Sequence, residues 1–405
     1  MKTHRLRLYI PKIFFFCILA LSLQGVPPTD TLGMENQKIG ECRDPEIDED
    51  IILGIDLLYD GKFDDAESLF RRVIADSPDK PVGYFYLAMV TWSRMTTGFW
   101  SPSTVMEYKV RIDRTIEVAE SRIENNSADC YDFFYLGGAL GFKGRFELMQ
   151  TKWFSSFSLA VKAIKALKTC QKMAPENRDV LLGLGIFDYY TARLSGVLKF
   201  ISYLFIHRGD REEGLRKLHL AAKEAVYSAT EAKSMLIHIY LFLEEDFVKS
   251  MELSEELAKK YRQNPRYRFF LGVCYIRQGM DREYRDTVNL LRQRSLQAKT
   301  LSEASLWGKR ALYLETVYDL FHKQYHDARA KLAVILNQKD DTNDPEMIAW
   351  PLLKTGMSYD LEGNRTKAVN YYQEVLDMEN GSGAQFLAKR LLENPLKQND
   401  PFIGY

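Results

Sequence analysis

The chain lacks an excess of charge of either sign: 55 Lys and Arg are balanced by 55 Asp and Glu. Phosphate binding draws on a clear cationic surplus or stripe, so the balance argues against nucleic acid as the main partner. Cysteine is scarce, at five in 405 residues. Beyond the N-terminal run, Cys42, Cys130, Cys170 and Cys274 are scattered and show no Cys-x-x-Cys spacing, so neither a zinc site nor a redox motif is indicated. Cys170 and Cys274 fall on apolar helix positions, where cysteine serves as a small core residue. Phosphate-cradling, dinucleotide-binding and nucleophile-elbow glycine motifs are all missing. His322 and His326 are four apart, but they sit at an expected turn and no His-Glu-x-x-His accompanies them. The expectation is therefore a protein that is not an enzyme, with no catalytic residues, no cofactor and no metal. Pro- and Ser-rich linkers are also absent after residue 46, which leaves one continuous body.

The longest apolar run lies at the N-terminus. Lys2, His4, Arg5, Arg7 and Lys12 precede the stretch 13–23, and Pro27-Pro28 ends any helix there. A basic start followed by about 7–15 apolar residues is the pattern of a secretory signal peptide, whereas a spanning helix needs about 20. Residues 1–25 are expected to be a signal peptide and 26–46 a polar lead-in. The chain is thus expected to be exported, to the periplasm, the cell envelope or the medium; membrane anchoring by an uncleaved segment is the alternative.

What is present is a repeat. Gly54 to Ala66 and Gly356 to Ala368 are each twelve residues apart, while Gly54 to Gly61 and Gly356 to Gly363 are each seven. Ala66 to Pro78 and Ala163 to Pro175 are again twelve apart. Leu271, Gly272, Tyr275 and Gly279 form another copy, and Leu136, Gly137, Leu140 and Gly144 begin a further one, with Gly144 at the turn position. A small residue in one helix and an alanine in the next let two antiparallel helices approach closely. The bulky residue four after the alanine fills the gap, glycine makes the turn, and proline ends the second helix. This spacing resembles the tetratricopeptide-repeat family, whose unit is about 34 residues long. The resemblance implies an all-α, right-handed superhelical solenoid of antiparallel helix pairs over residues 47–393, about eight pairs in all. A capping helix (386–392) and a tail (394–405) follow.

Three consecutive units exceed the family length. Gly137 to Ala163 spans 26 residues, Gly185 to Gly214 spans 29 and Ala88 to Ile112 spans 24, where twelve is the norm. Lengthened central hairpins or a small extra helix at 196–206 would account for this, since about seven residues add two turns to a helix. Three of the five tryptophans fall in or beside these segments, interleaved with cations. The candidate partner-binding residues are Trp92, Phe99, Trp100, Arg111, Phe142, Arg145, Trp153, Tyr189 and Tyr190. Extra aromatic core for longer helices is the competing explanation. Trp350, in a regular repeat, is expected to serve packing. Residues 196–206 are too short to span a bilayer; peripheral membrane contact is weighed there against packing on neighbouring hairpins.

Repeat solenoids offer long inner surfaces that hold extended peptides or partner helices. The expected function is a non-catalytic scaffold that binds a protein or peptide. A small-ligand or lipid-binding protein using the aromatic central units is the alternative.

Overall fold

The structure, a computed structural model, describes residues 45–97, 100–150, 152–193, 209–338 and 344–404. The expected signal peptide and nearly all of the lead-in lie outside the described residues, as does 196–206. Among the described residues there is no strand. Seventeen α-helices follow one another among the described residues. The first six are α1 (Pro45–Tyr59), α2 (Phe63–Asp76), α3 (Pro81–Thr96), α4 (Pro102–Glu124), α5 (Cys130–Met149) and α6 (Trp153–Met173). Then come α7 (Val180–Arg193), α8 (Arg211–Glu224), α9 (Ala229–Ile239), α10 (Phe247–Lys260), α11 (Pro265–Gln278) and α12 (Asp281–Gln297). The last five are α13 (Leu301–Phe321), α14 (Tyr325–Asn337), α15 (Glu346–Leu361), α16 (Arg365–Asp377) and α17 (Ala384–Glu393). They pair in sequence into eight hairpins, with α17 packed on the last pair.

The two helices of a hairpin differ in kind. In α3 and α15 buried residues occur on every side, whereas α16 buries only Ala368, Tyr372 and Val375. A helix apolar all round must be covered all round, and one with a single apolar stripe faces water. The odd-numbered helices therefore form the inner layer and the even-numbered ones the outer. Local signals start many of them. Pro81, Pro102 and Pro265 occupy first-turn positions, where the missing N–H is no loss. Asp129 and Asp132 form a reciprocal capping box on α5.

Glycine sets the spacing within a hairpin. A β-carbon added to Gly54 would lie 2.4 Å from the Phe70 ring, and one on Gly356 would lie 2.6 Å from the Tyr372 ring. Phe70 and Tyr372 are the residues four after Ala66 and Ala368. The same contact recurs in the lengthened units: Gly137 meets Leu167 at 2.7 Å, and Gly185 meets Leu218 at 3.0 Å. Gly61 and Gly363 make their turns at φ +81° and +86°, which a side chain would strain.

The insertions leave this contact intact. Helices α4, α5 and α6 have 23, 20 and 21 residues, against 14 in α2. Gly144, expected at a turn, is instead inside α5, against Leu159 and the Ser156 carbonyl. The helix runs on past the turn position, so the glycine serves close helix approach there. Helices α7 and α8 have only 14 residues each, so the excess between Gly185 and Gly214 falls outside the described residues. Helix α13, with 21 residues, is also long, which the repeat spacing did not announce.

The superhelix returns on itself. The Tyr59 hydroxyl donates to Glu231 at 2.8 Å, the Tyr261 hydroxyl to Asp56 at 2.8 Å, and the Asn264 amide to the Tyr59 carbonyl at 2.9 Å. Tyr227 also bonds Asp48. The first hairpin thus rests on α9 to α11. A second closure brings the Trp153 ring to 5.0 Å from Phe386 of α17.

The repeat register carries a stability prediction. Ala66 and Ala368 are fully buried, while Ala75 is exposed. Ala66→Leu and Ala368→Leu are expected to cost about 1–3 kcal/mol each by overpacking. Ala75→Leu should stay within about 0.5 kcal/mol. Denaturant unfolding followed by circular dichroism checks this, and equal effects at all three positions would refute the register.

Candidate binding site on the inner face

Closure of the superhelix leaves a solvent-open cavity of about 280 Å³ between the early and late inner helices. Its aromatic walls come from Trp92 of α3, Trp100 before α4, Phe269 and Phe270 of α11, Tyr313 of α13, Trp350 of α15 and Phe386 of α17. These rings brace one another and their surroundings. Trp92 packs on Phe142 with centroids 5.6 Å apart, Trp100 stacks on Phe146 at 6.2 Å, and Phe269 meets Tyr313 at 5.8 Å. The Trp350 indole N–H reaches the Ser382 carbonyl at 3.4 Å.

Three arginines also line the cavity: Arg145 of α5, Arg266 of α11 and Arg310 of α13. The Arg145 guanidinium lies 5.3 Å over the Trp92 ring and 4.0 Å from Glu231, with 45% of its side chain exposed. Arg266 is aimed by a histidine. Burial pushes the pKa of His238 down to about 3, so the ring is neutral near pH 7. The Ser234 carbonyl, 2.8 Å away, accepts a hydrogen bond from Nδ1–H, which leaves Nε2 to accept from Arg266 at 3.1 Å. Arg310 is buried and donates to the Leu306 carbonyl at 3.3 Å. Desolvation lowers its pKa, and the nearby carboxylates Glu346 and Asp344 oppose that shift.

Glu346 is the acidic residue of the lining. Burial, reinforced by Asp344, raises its pKa from 4.5 to about 7, while Arg310 and Arg266 pull the other way. Near neutral pH the cavity therefore presents three guanidiniums against one partly protonated carboxyl. Such a surface suits an anionic group flanked by apolar or aromatic ones.

The structure gathers some of the sequence-derived candidates and disperses others. Trp92, Trp100 and Arg145 line the cavity. Phe142 supports Trp92 from behind, and Trp153, 42% exposed, packs on the lining residue Phe386. Arg111 lies elsewhere: it is buried, bonded to Glu67, Thr91 and the Leu87 carbonyl, and ties α4 to α2 and α3. Tyr189 is fully buried, and its hydroxyl donates to Glu244 at 2.5 Å. Tyr190 is half exposed and faces Met235 at 3.8 Å. Phe99 lies outside the described residues. Trp350, expected to pack a regular repeat, is buried in the core as expected, and it also lines the cavity with Trp92 and Trp100 because the superhelix closes.

The late half of the lining was not anticipated. A signal for it does exist, since Arg266 with Phe270, Arg310 with Tyr313, and Glu346 with Trp350 each put a charge and an aromatic three or four residues apart on one inner helix. Among the described residues no group of three His, Cys, Asp or Glu side chains could hold a metal. None of the described helices is long and apolar enough to cross a membrane.

Residues 53–94 and 352–378 each match a family model described as tetratricopeptide repeat. Those matches support the tetratricopeptide-repeat family. No curated protein matches the chain significantly. Solved structures align over much of its length at low identity. The yeast Tom70 structure is 10% identical, covering 86% of this chain and 89% of that one with a TM-score of 0.38. The P58(IPK) TPR domain is 14% identical, covering 89% and 96% with a TM-score of 0.23. A human IFIT1 dimer with m7Gppp-AAAA is 13% identical, covering 78% and 67% with a TM-score of 0.32. Scores this low carry no argument about function or curvature. The assignment of this chain as a helical solenoid rests on its own helices and repeats.

Glu346 makes the site testable by pH. Its folded pKa is raised, so the folded state holds the proton more tightly than the unfolded chain does. The stability this contributes is fully present below about 4.5 and is lost as pH rises through about 7. Glu346→Gln removes that dependence. Melting temperatures at pH 5 and pH 8 should show the variant gaining on the native protein at pH 8. An equal difference at both values would show that the carboxyl does not titrate as described.

Proposed function

We propose that this protein is a non-catalytic scaffold whose inner face binds a segment of a protein partner. The observation that carries the proposal is the convergence of three arginines and seven aromatic rings in one cavity, from helices more than two hundred residues apart. A segment placing an acidic side chain among the arginines and an apolar or aromatic one against the rings fits that chemistry. The tetratricopeptide repeats support the reading, because such repeats generally serve protein interaction. The basic-then-apolar pattern of residues 1–25 supports export, and we place the protein in the periplasm or cell envelope on that ground. The apolar stretch 196–206 supports a peripheral membrane contact beside the binding role.

The test uses residues with solvent exposure, so that folding survives. Phe386 and Trp153 are 47% and 42% exposed, and Tyr190, at 39%, lies away from the cavity. Partners captured from envelope extracts by the native protein are identified and their affinities measured. Phe386→Ala and Arg145→Glu are expected to weaken binding by about tenfold or more, in the range of interface hot spots. Tyr190→Ala should change it little. Unaltered affinity in folded Phe386 and Arg145 variants would remove the cavity from the interface. A co-purified compound of a few hundred daltons in native mass spectrometry would instead favour the small-ligand alternative.

A further inference from the structure

Residues 394–404 follow α17 and run back over the inner layer. The Leu396 N–H donates to Asp360 at 2.9 Å. The Gln398 side chain donates to the Leu320 carbonyl at 3.0 Å and accepts from the Tyr325 hydroxyl at 2.9 Å. Asp400 pairs with Arg390. The Phe402 ring stacks on Phe242 at 5.9 Å, with the Arg390 guanidinium 5.1 Å above it. Ile403 is fully buried, and Gly404 lies so near Val273 that an added β-carbon would approach it to 2.7 Å.

The anchor of this path is Lys354. Its side chain is wholly buried, and its amine donates to the carbonyls of Phe402, at 2.6 Å, and Ile403. Phe242, Val273, Leu320 and Lys354 belong to four successive inner segments: the π turn after α9 (Tyr240–Glu244), then α11, α13 and α15. Residues Pro401–Gly404 form one short 3-10 turn, and this turn is held by its main-chain carbonyls and by the side chains of Phe402 and Ile403. The Lys354 contacts read backbone, so they do not demand this particular sequence.

We propose that residues 394–404 are a displaceable occupant of a second inner-face groove, and that a partner segment with an aromatic–aliphatic pair after proline, folded into the same single turn, takes the same path. This rests on the reading of the protein as a peptide-binding scaffold, and adds a separate site with a built-in competitor. The docked state keeps the Lys354 amine out of water, with the two carbonyls as acceptors and the Asp400 carboxylate near enough to oppose the loss of its charge, and desolvation of that charge is costly. Burial accordingly pushes the Lys354 pKa well below the ordinary lysine value. Release of the segment returns that amine to water, which makes displacement accessible. Tethering gives the segment an effective concentration on the order of millimolar, so a free peptide at micromolar levels is shut out until the tether's contacts are weakened.

A labelled synthetic peptide with the sequence of residues 394–405 tests this without any knowledge of the partner. The full-length native chain should show no saturable binding at about 10 μM, against the roughly millimolar tethered competitor. The full-length double variant Phe402→Ala, Ile403→Ser should bind the peptide at least tenfold more tightly. Adding Lys354→Met should abolish that gain, and adding Arg145→Glu should leave it unchanged, which separates this groove from the cavity. Equal binding by native and double variant, or none by a double variant of native helicity, overturns the proposal. Should the variant fail to fold, hydrogen exchange on the native chain decides. The amides of Phe402 and Ile403 are expected to exchange at least about a hundredfold faster than that of Leu314 in α13, by local opening. Equal protection would make the segment permanent core and refute its role as a competitor.

Discussion

The contact between a glycine of one helix and the bulky residue four after the small residue of the next governs this structure. Where Gly54 faces Phe70 or Gly356 faces Tyr372, even a single β-carbon would collide with the ring. The pair fixes how closely the helices of a hairpin approach. That distance sets how successive hairpins tilt, and repeated tilt makes a superhelix. Lengthening the chain between the partners, as between Gly137 and Leu167 or Gly185 and Leu218, leaves the contact standing. Insertions therefore change the reach of a hairpin and spare its geometry.

Curvature then produces what no single repeat contains. After about five hairpins the array has turned far enough for α1 to rest on α9 to α11, through tyrosine hydroxyls donating to carboxylates and a carbonyl capped by Asn264. After eight, α17 meets the start of α6. Two large apolar bodies form along the way, and Tyr59, Leu243 and Leu253 touch both. The polar character of the first closure suits a joint between preformed parts, since interfaces between units are more polar than cores. The cavity takes its lining from early and late helices together, so it exists only because the array turns far enough to bring them face to face.

Charge placement follows the same logic. A guanidinium is costly to bury, and each arginine of the cavity has support nearby: the Trp92 face for Arg145, a neutral His238 for Arg266, and the Leu306 carbonyl with two carboxyls for Arg310. Lys354 is handled differently, by the main chain of residues 402 and 403. The inner layer is thus apolar in bulk, with cations held at a few points by one to three nearby groups.

Much of the fold was legible in the residues. Helical period, glycine and alanine spacing, and proline punctuation are local properties, and they determined the hairpins, the repeat family and the close contacts within each pair. The early side of the candidate site was legible for the same reason, since Trp92, Trp100 and Arg145 sit in segments whose extra length was countable. Gly144 was misplaced because a turn position and a close-packing position ask for the same residue, and only the continuing helix tells them apart. Arg111 and Tyr189 were included because a cation or an aromatic ring in an insertion looks alike whether it faces a cavity or, as here, a buried network. Trp350 and Phe386 were left out because their nearness to Trp92 and Trp153 comes from accumulated rotation over many hairpins. Local spacing determines each rotation only loosely, and small angular increments add up along the array. The sequence by itself thus determined the unit and its packing; which units meet, and so where the cavity lies, was decided only by the tertiary closure.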